Sequence, residues 1–176
     1  MARQYFGDGP YIDPPVAPLG ALTATTIEAL WPSITWTPIF ANDAKAGKVY
    51  CVRAGGTIAM TGGTAIITPA WGPAATTLGV SLTVGTVTTL IAAWRLEFDL
   101  LVQSVGAAGA NSKVIGTGIL TWNGGVVSGT ANGNSVVFGG TQASVDTTIN
   151  GSITISKTLS AANSVITQYA YLFSRN

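Results

Sequence analysis

Seven carboxylates, eight Lys/Arg side chains, one cysteine and no histidine are the material from which this chain could build a reactive centre. Without histidine, Ser-His-Asp and Cys-His activation and His-ligated metal sites are excluded. Among Asp8, Asp13, Glu28, Asp43, Glu97, Asp99 and Asp146, only Glu97 and Asp99 form a local pair. At i, i+2 on a strand they share a face, ~6.6–7 Å apart along the backbone. That lies within the ~5–9.5 Å spanned by the paired carboxyls of glycosidases. Arg95 falls on the same face, however, and favours ion pairing over acid–base work. The expected role of Arg95, Glu97 and Asp99 is therefore a charged strip, at the surface or in an oligomer interface, pairing with Lys or Arg of a neighbouring strand or subunit. Cys51, between Tyr50 and Val52, is expected to be a buried, inert thiol, and as a single cysteine it excludes an intrachain disulfide. Glycine is abundant, yet no P-loop, G-x-G-x-x-G or G-x-S-x-G occurs. Asn150-Gly151-Ser152 matches a glycosylation sequon but suits the start of a strand better. No catalytic, cofactor or metal residues are assigned, and no enzyme is expected.

The elements that carry these residues are strands. From Trp94 to Gln103 the residues alternate: Trp94, Leu96, Phe98, Leu100 and Val102 on one face, Arg95, Glu97, Asp99, Leu101 and Gln103 on the other. Period two over ten residues marks a strand with one face in a core. Lys48–Met60 is expected as a strand pair or one long bent strand broken at Gly55-Gly56, Thr64–Trp71 as a strand, and Thr76–Leu90 as a strand with a turn at Gly85. Gly106–Gly109 turns the chain into a strand over Lys113–Trp122, and Asn123-Gly124-Gly125 is a turn. Val126–Gly140 is rich in Gly, Asn and Ser, with an apolar patch at Val136-Val137-Phe138. Thr147–Ser156 alternates, with Ile149, Ile153 and Ile155 on one face; Lys157–Asn163 is expected as a loop. Val165–Phe173 closes the chain with Val165, Thr167, Tyr169, Tyr171 and Phe173 on one side. Leu22–Leu30 fits either a short helix or a strand. About eight strands, with connections too long for a plain meander, predict an antiparallel two-sheet sandwich of jelly-roll-like type over residues 21–176.

Residues 1–20 differ from this body. Pro10, Pro14, Pro15 and Pro18 exclude a helix or central strand there, and Tyr5, Phe6, Tyr11 and Ile12 are too apolar for a solvated linker. An extended arm is expected, docking these four residues either on a partner or back on its own domain. Of the five tryptophans, Trp94 alternates with core residues; for Trp31, Trp36, Trp71 and Trp122, core or interface packing is preferred to a sugar platform.

Charged residues make up 9% of the chain, where soluble domains average about 25%. A net charge of +1 gives no basic face for nucleic acid. The mean hydropathy of +0.43 suggests a membrane, but Gly, Thr, Ser and Pro interrupt every apolar run before the ~18–20 residues a spanning helix needs. The N-terminus lacks the basic-then-apolar layout of an export signal, which also argues against an outer-membrane barrel. The preferred explanation for so few charges is a surface covered by neighbouring subunits.

The order Trp71-Gly72, Trp94-Arg95-Leu96-Glu97, Ser104-Val105-Gly106 and a C-terminal strand bearing Tyr and Phe resembles a group of small structural proteins in phages of actinobacteria. In that group a YWG strand is followed by a PWRLE strand and an SIG turn. Here Ala70-Trp71-Gly72 and Ala93-Trp94-Arg95-Leu96-Glu97 take the first two places. The likeness runs from about Leu22 to the C-terminus and leaves the arm unmatched. It implies a jelly-roll-like decoration or minor capsid protein, made in the host cytoplasm and carried on the virion's capsid surface. Its implied partners are the major capsid protein and further copies of itself, as a homotrimer or other small homo-oligomer, without cofactor, nucleic acid or membrane. The alternative is a tail-fibre or receptor-binding sandwich, including one that binds host carbohydrate. The first would call for a longer chain with a fibrous shaft, the second for exposed tryptophans in a row.

Overall fold

The structure, a computed structural model, describes residues 23, 28–30, 39–59, 65–71, 76–78, 82–84, 91–123, 126–127, 130–131, 134–159 and 164–175. The arm with Tyr5, Phe6, Tyr11 and Ile12 lies outside them, as do Trp31 and Trp36. Every regular element described is a strand: β1 (Glu28–Ala29), β2 (Val49–Ala59), β3 (Ala65–Trp71), β4 (Thr76–Thr77), β5 (Leu82–Val84), β6 (Ile91–Ser104), β7 (Ser112–Asn123), β8 (Val126–Val127), β9 (Thr130–Ala131), β10 (Asn134–Val145), β11 (Ile153–Leu159) and β12 (Ser164–Arg175). Four of the twelve (β1, β4, β8, β9) are two residues long, which leaves the eight that build the body. Among the described residues no helix is long and apolar enough to cross a membrane.

The chain folds as an antiparallel β-sandwich. One sheet has the order β10-β7-β6-β2-β12; the other runs β1-β11-β3-β4, with β5 also on β3; β8 and β9 form a separate ribbon. The first and last long strands, β2 and β12, pair in one sheet, and the next pair inward, β3 and β11, pair in the other. This nesting gives the jelly-roll likeness. Between the nested pairs, β6, β7 and β10 run side by side as a meander.

The core lies between the sheets. On β6, Trp94, Leu96, Phe98, Leu100 and Val102 are all buried, as their alternation requires, and they face Ile67, Ile153, Ile155 and Leu159 of the second sheet within one cluster. Tyr50 of β2 meets Trp71 of β3 across the gap, ring centroids 6.4 Å apart and tilted by 56°. Fully burying one such side chain contributes about 1.5–3 kcal/mol.

The seam beside β11 is closed by the chain that precedes β2. Leu30 N donates to Ile155 O, Ile39 and Gly151 exchange backbone hydrogen bonds, and Asn42 N donates to Thr147 O. Thr167 Oγ1 of the first sheet donates to Leu30 O at 2.7 Å, tying the seam to both layers. The ambiguous Leu22–Leu30 segment is thus strand in its paired part, β1. Gly151 of the sequon is a buried bridge residue just before β11, and Asn150 Oδ1 accepts from Ala41 N.

Four local expectations change. Gly55 and Gly56 do not break β2, which runs unbroken through both. The irregularity sits on β12, where a bulge between Thr167 and Tyr169 adds Gln168. One extra residue inverts the alternation, so Val165 and Thr167 point inward before it and Ala170 and Leu172 after it. Tyr169 and Phe173 therefore do not share a face with Val165 and Thr167. Ile149 is 53% exposed and precedes β11, so it does not join Ile153 and Ile155. Lys157 is strand, not loop: β11 continues through Lys157 to Leu159, with both side chains buried.

One loop is expected to make stability depend on pH. Asp146 accepts from Thr148 N and Thr148 Oγ1 through Oδ1 and from Gly109 N through Oδ2. These hydrogen bonds, Thr148's first, hold its carboxyl below the ordinary 3.8. A carboxyl depressed in the folded state stabilises above its unfolded value, and that contribution is lost as pH falls through the folded one. In urea unfolding, Asp146→Asn is expected to be less stable than the parent at pH 7, and the gap should close below pH 3.8. A gap of constant size down to acid pH would contradict the assignment.

Candidate functional site: the outer face of the first sheet

The residues singled out by charge come together on the solvent side of the β10-β7-β6-β2-β12 sheet. Register fixes their neighbours. Arg95, Glu97 and Asp99 of β6 stand opposite Gly55, Arg53 and Cys51 of β2, and these stand opposite Tyr169, Tyr171 and Phe173 of β12. Sequence alternation placed the three β6 residues on one face, and they are there, but their partners had to come from other strands. Arg53 Nη1 lies 2.9 Å from Asp99 Oδ1 and its Nε 3.5 Å from Glu97 Oε2. Arg175 Nη2 lies 2.8 Å from Asp99 Oδ2, and Arg95 Nη2 2.6 Å from Glu97 Oε1. The result is a zigzag, Arg95–Glu97–Arg53–Asp99–Arg175, across β6, β2 and β12.

The ladder's middle members are half-buried, and its ends, Arg95 and Arg175, expose 63% and 59% of their side chains. Exposed pairs of this kind are worth about 0.2–1 kcal/mol each, so the ladder orders the surface more than it stabilises the fold. Both carboxylates are engaged by guanidinium groups. Arg53 also sits over the Phe173 ring, 5.7 Å from its centroid.

Beneath the ladder, Cys51 is fully buried although it points to the outer face. Burial first, then the neighbouring Asp99 carboxylate, push its thiol up to about 11, against the opposing pull of Arg175 and Arg53. It stays a neutral thiol at neutral pH, without the low value a nucleophilic cysteine needs. Among the described residues no group of three His, Cys, Asp or Glu side chains is placed to hold a metal ion.

On the β7–β10 half, the same face carries apolar side chains among Thr, Ser and Gln. Val137 is 76% exposed and stands opposite Ile119, with Ile115 and Leu101 partly covered nearby. At the other end a cleft of about 340 Å³ opens, floored by Gly56, Trp94 and Trp122 and walled by Arg95, Thr121, Gln168 and Tyr169. Tyr169 can lie beside this floor because Gly55 has no side chain: a Cβ there would stand 2.6 Å from Tyr169 Cζ, where the phenol lies across the glycine. The bulge at Gln168 turns Tyr169 outward and makes the far wall. Neither Gln168 nor Tyr169 was legible as part of a site, because a one-residue bulge without glycine leaves no mark in the sequence.

The described tryptophans present no exposed ring on this face. Trp71, Trp94 and Trp122 are 5%, 7% and 7% exposed, with their rings in the core. Trp94 Nε1 donates to Ile166 O; Trp122 Nε1 is buried without a partner. In comparison with known proteins, the chain matches no protein-family model, no curated protein and no solved structure.

Proposed function

We propose that this chain is a virion structural protein, a decoration or minor capsid subunit that binds the phage head shell and braces it. The observation that carries the reading is where the motif residues fall. Trp71 ends β3 against Tyr50 of the opposite sheet, Trp94 begins the buried row of β6, and Ser104-Val105-Gly106 leads out of β6, with Gly106 N donating to Ser112 Oγ. The residues that carry the likeness are thus joints of the sandwich, so the likeness concerns how the subunit is built. Such a subunit acts by adding buried area across junctions between shell proteins, which calls for a stiff body and an accessible contact surface. A two-layer sandwich with few charges, and an outer face that is charge-poor along β7 and β10 with Val137 exposed on it, fits that task.

In this reading residues 1–20 anchor the subunit to the major capsid protein through Tyr5, Phe6, Tyr11 and Ile12. Copies associate with one another, as a trimer in the simplest case, through the charge-poor β7–β10 surface. The test is co-sedimentation of the purified protein with undecorated phage capsids. Saturable binding with a fixed number of copies per shell is expected, together with loss of at least about tenfold in affinity, or 1.4 kcal/mol, when the chain starts at Leu19. Absence of binding by the full chain would overturn the head assignment. Equal binding by the truncated chain would remove the arm as anchor.

A further inference from the structure

We propose that the cleft beside Tyr169 is a saccharide-binding site. This goes beyond the role in the head, and it stands or falls independently of it.

The walls of the cleft supply what a sugar ring requires and little that suits other ligands. Tyr169 offers an aromatic surface for the C–H side of a pyranose or furanose. Arg95 and Gln168 are both exposed and end in planar groups, the guanidinium with paired donors and the amide with a donor beside an acceptor, which match adjacent hydroxyls. Thr121, opposite Arg95 in register, adds a hydroxyl. The charge of Arg95 is compensated by Glu97 at 2.6 Å, so the cleft does not concentrate positive charge as a phosphate or sulfate site would. It is too open at the surface to enclose a lipid chain. At about 340 Å³ it lies in the size range of small-molecule sites, and it is open at the surface, so a longer chain could run across it.

The placement is also rigid. Arg95, Thr121 and Tyr169 stand on β6, β7 and β12 of one sheet, β6 pairing β7 directly and β12 through β2. Positions fixed by strand pairing leave little to be ordered when a ligand binds. Gly55 and the bulge at Gln168 are the two features that open the cleft. The first lets the Tyr169 ring lie across β2, where any Cβ would collide with it, and the second turns Tyr169 outward to the cleft's edge.

The test uses the ¹⁵N-labelled full chain titrated separately with maltotriose, mannotriose, galactotriose and arabinotriose, with inorganic phosphate as the anionic control. At least one trisaccharide is expected to shift the amides of Gly55, Gly56, Thr121, Gln168 and Tyr169 saturably, with a dissociation constant on the order of 1 mM for so shallow a site. Tyr169→Ala should weaken that binding by about tenfold or more. So should Gln168→Ala, which alters only an exposed side chain on the bulge and leaves the fold in place. Shifts produced by phosphate and by none of the sugars would overturn the proposal. So would silence towards all four sugars, or sedimentation showing that a second copy covers these residues.

Discussion

Gly56→Ala is expected to unfold more of this protein than any other single methyl group added to the described residues, with a loss of about 3 kcal/mol or more. Gly56 points into the sandwich from β2, in register with Trp94. A Cβ there would overlap the carbonyl oxygen of Ile166 and approach Gln168 N to 3.0 Å, so it meets backbone on the bulged stretch of β12. A flexible side chain could swing away; this segment cannot, because Thr167 beside it is buried and hydrogen-bonded to Leu30 O, and Ile166 O itself accepts from Trp94 Nε1. The methyl group therefore separates β12 from β2, loosens the Trp94 contact and opens the seam closed by Leu30. Thr57→Ala, one residue along on the half-exposed outer face, is the control and should fall within about 0.5 kcal/mol of the parent. Urea midpoints of the two variants check the prediction; equal midpoints would show that β12 yields at the bulge.

The same glycine shows where sequence reading stopped. A Gly-Gly pair inside an apolar run suggests a break, because glycine weakens strands. Here the pair lets two other elements come close: the Tyr169 ring over Gly55 and the Ile166 carbonyl over Gly56. That requirement arises from a strand more than a hundred residues later, and nothing near Gly55 announces it. By contrast β6 was legible residue by residue, because its ten-residue alternation is a local consequence of one wet and one dry face. The two-sheet sandwich followed from the number and spacing of such segments. Lys157 was hidden for a different reason: a charged residue on the inward face of β11 breaks the apolar pattern by which strands are recognised. The strip of Arg95, Glu97 and Asp99 was likewise half visible. Its members are neighbours in sequence, while Arg53 and Arg175 are 46 and 76 residues from Asp99 and come to it only through the order of strands.

Phe98→Ala is expected to cost close to 5 kcal/mol, the upper end for a buried phenylalanine, because nothing around it can move into the space. Phe98 is fully buried on β6 and stacks on Phe138 of β10 with centroids 5.8 Å apart and planes within 7°. The strand between them, β7, carries Gly118 opposite both rings and Gly116 two residues before it. A Cβ on Gly116 would meet Phe98 Cζ at 2.6 Å, and one on Gly118 would meet Phe138 Cζ at 2.5 Å, so the glycines are the space in which the rings lie. Removing the ring leaves a hole bordered by residues with no side chain to fill it, so the cavity persists instead of collapsing. Two consequences separate this account from simple loss of apolar area. Phe98→Ala and Phe138→Ala should be non-additive by about 0.5–1.5 kcal/mol, the amount their stacking contributes. Gly116→Ala, destabilising by about 1–3 kcal/mol in the parent, should cost markedly less or turn stabilising once Phe98 is alanine, since its methyl then enters the vacated volume. Chemical denaturation of the parent, the three single variants and the two pairs measures both couplings. If Gly116→Ala were equally costly in both backgrounds, the clash would lie with the Leu78 carbonyl, 2.9 Å from the same Cβ position, and not with the ring.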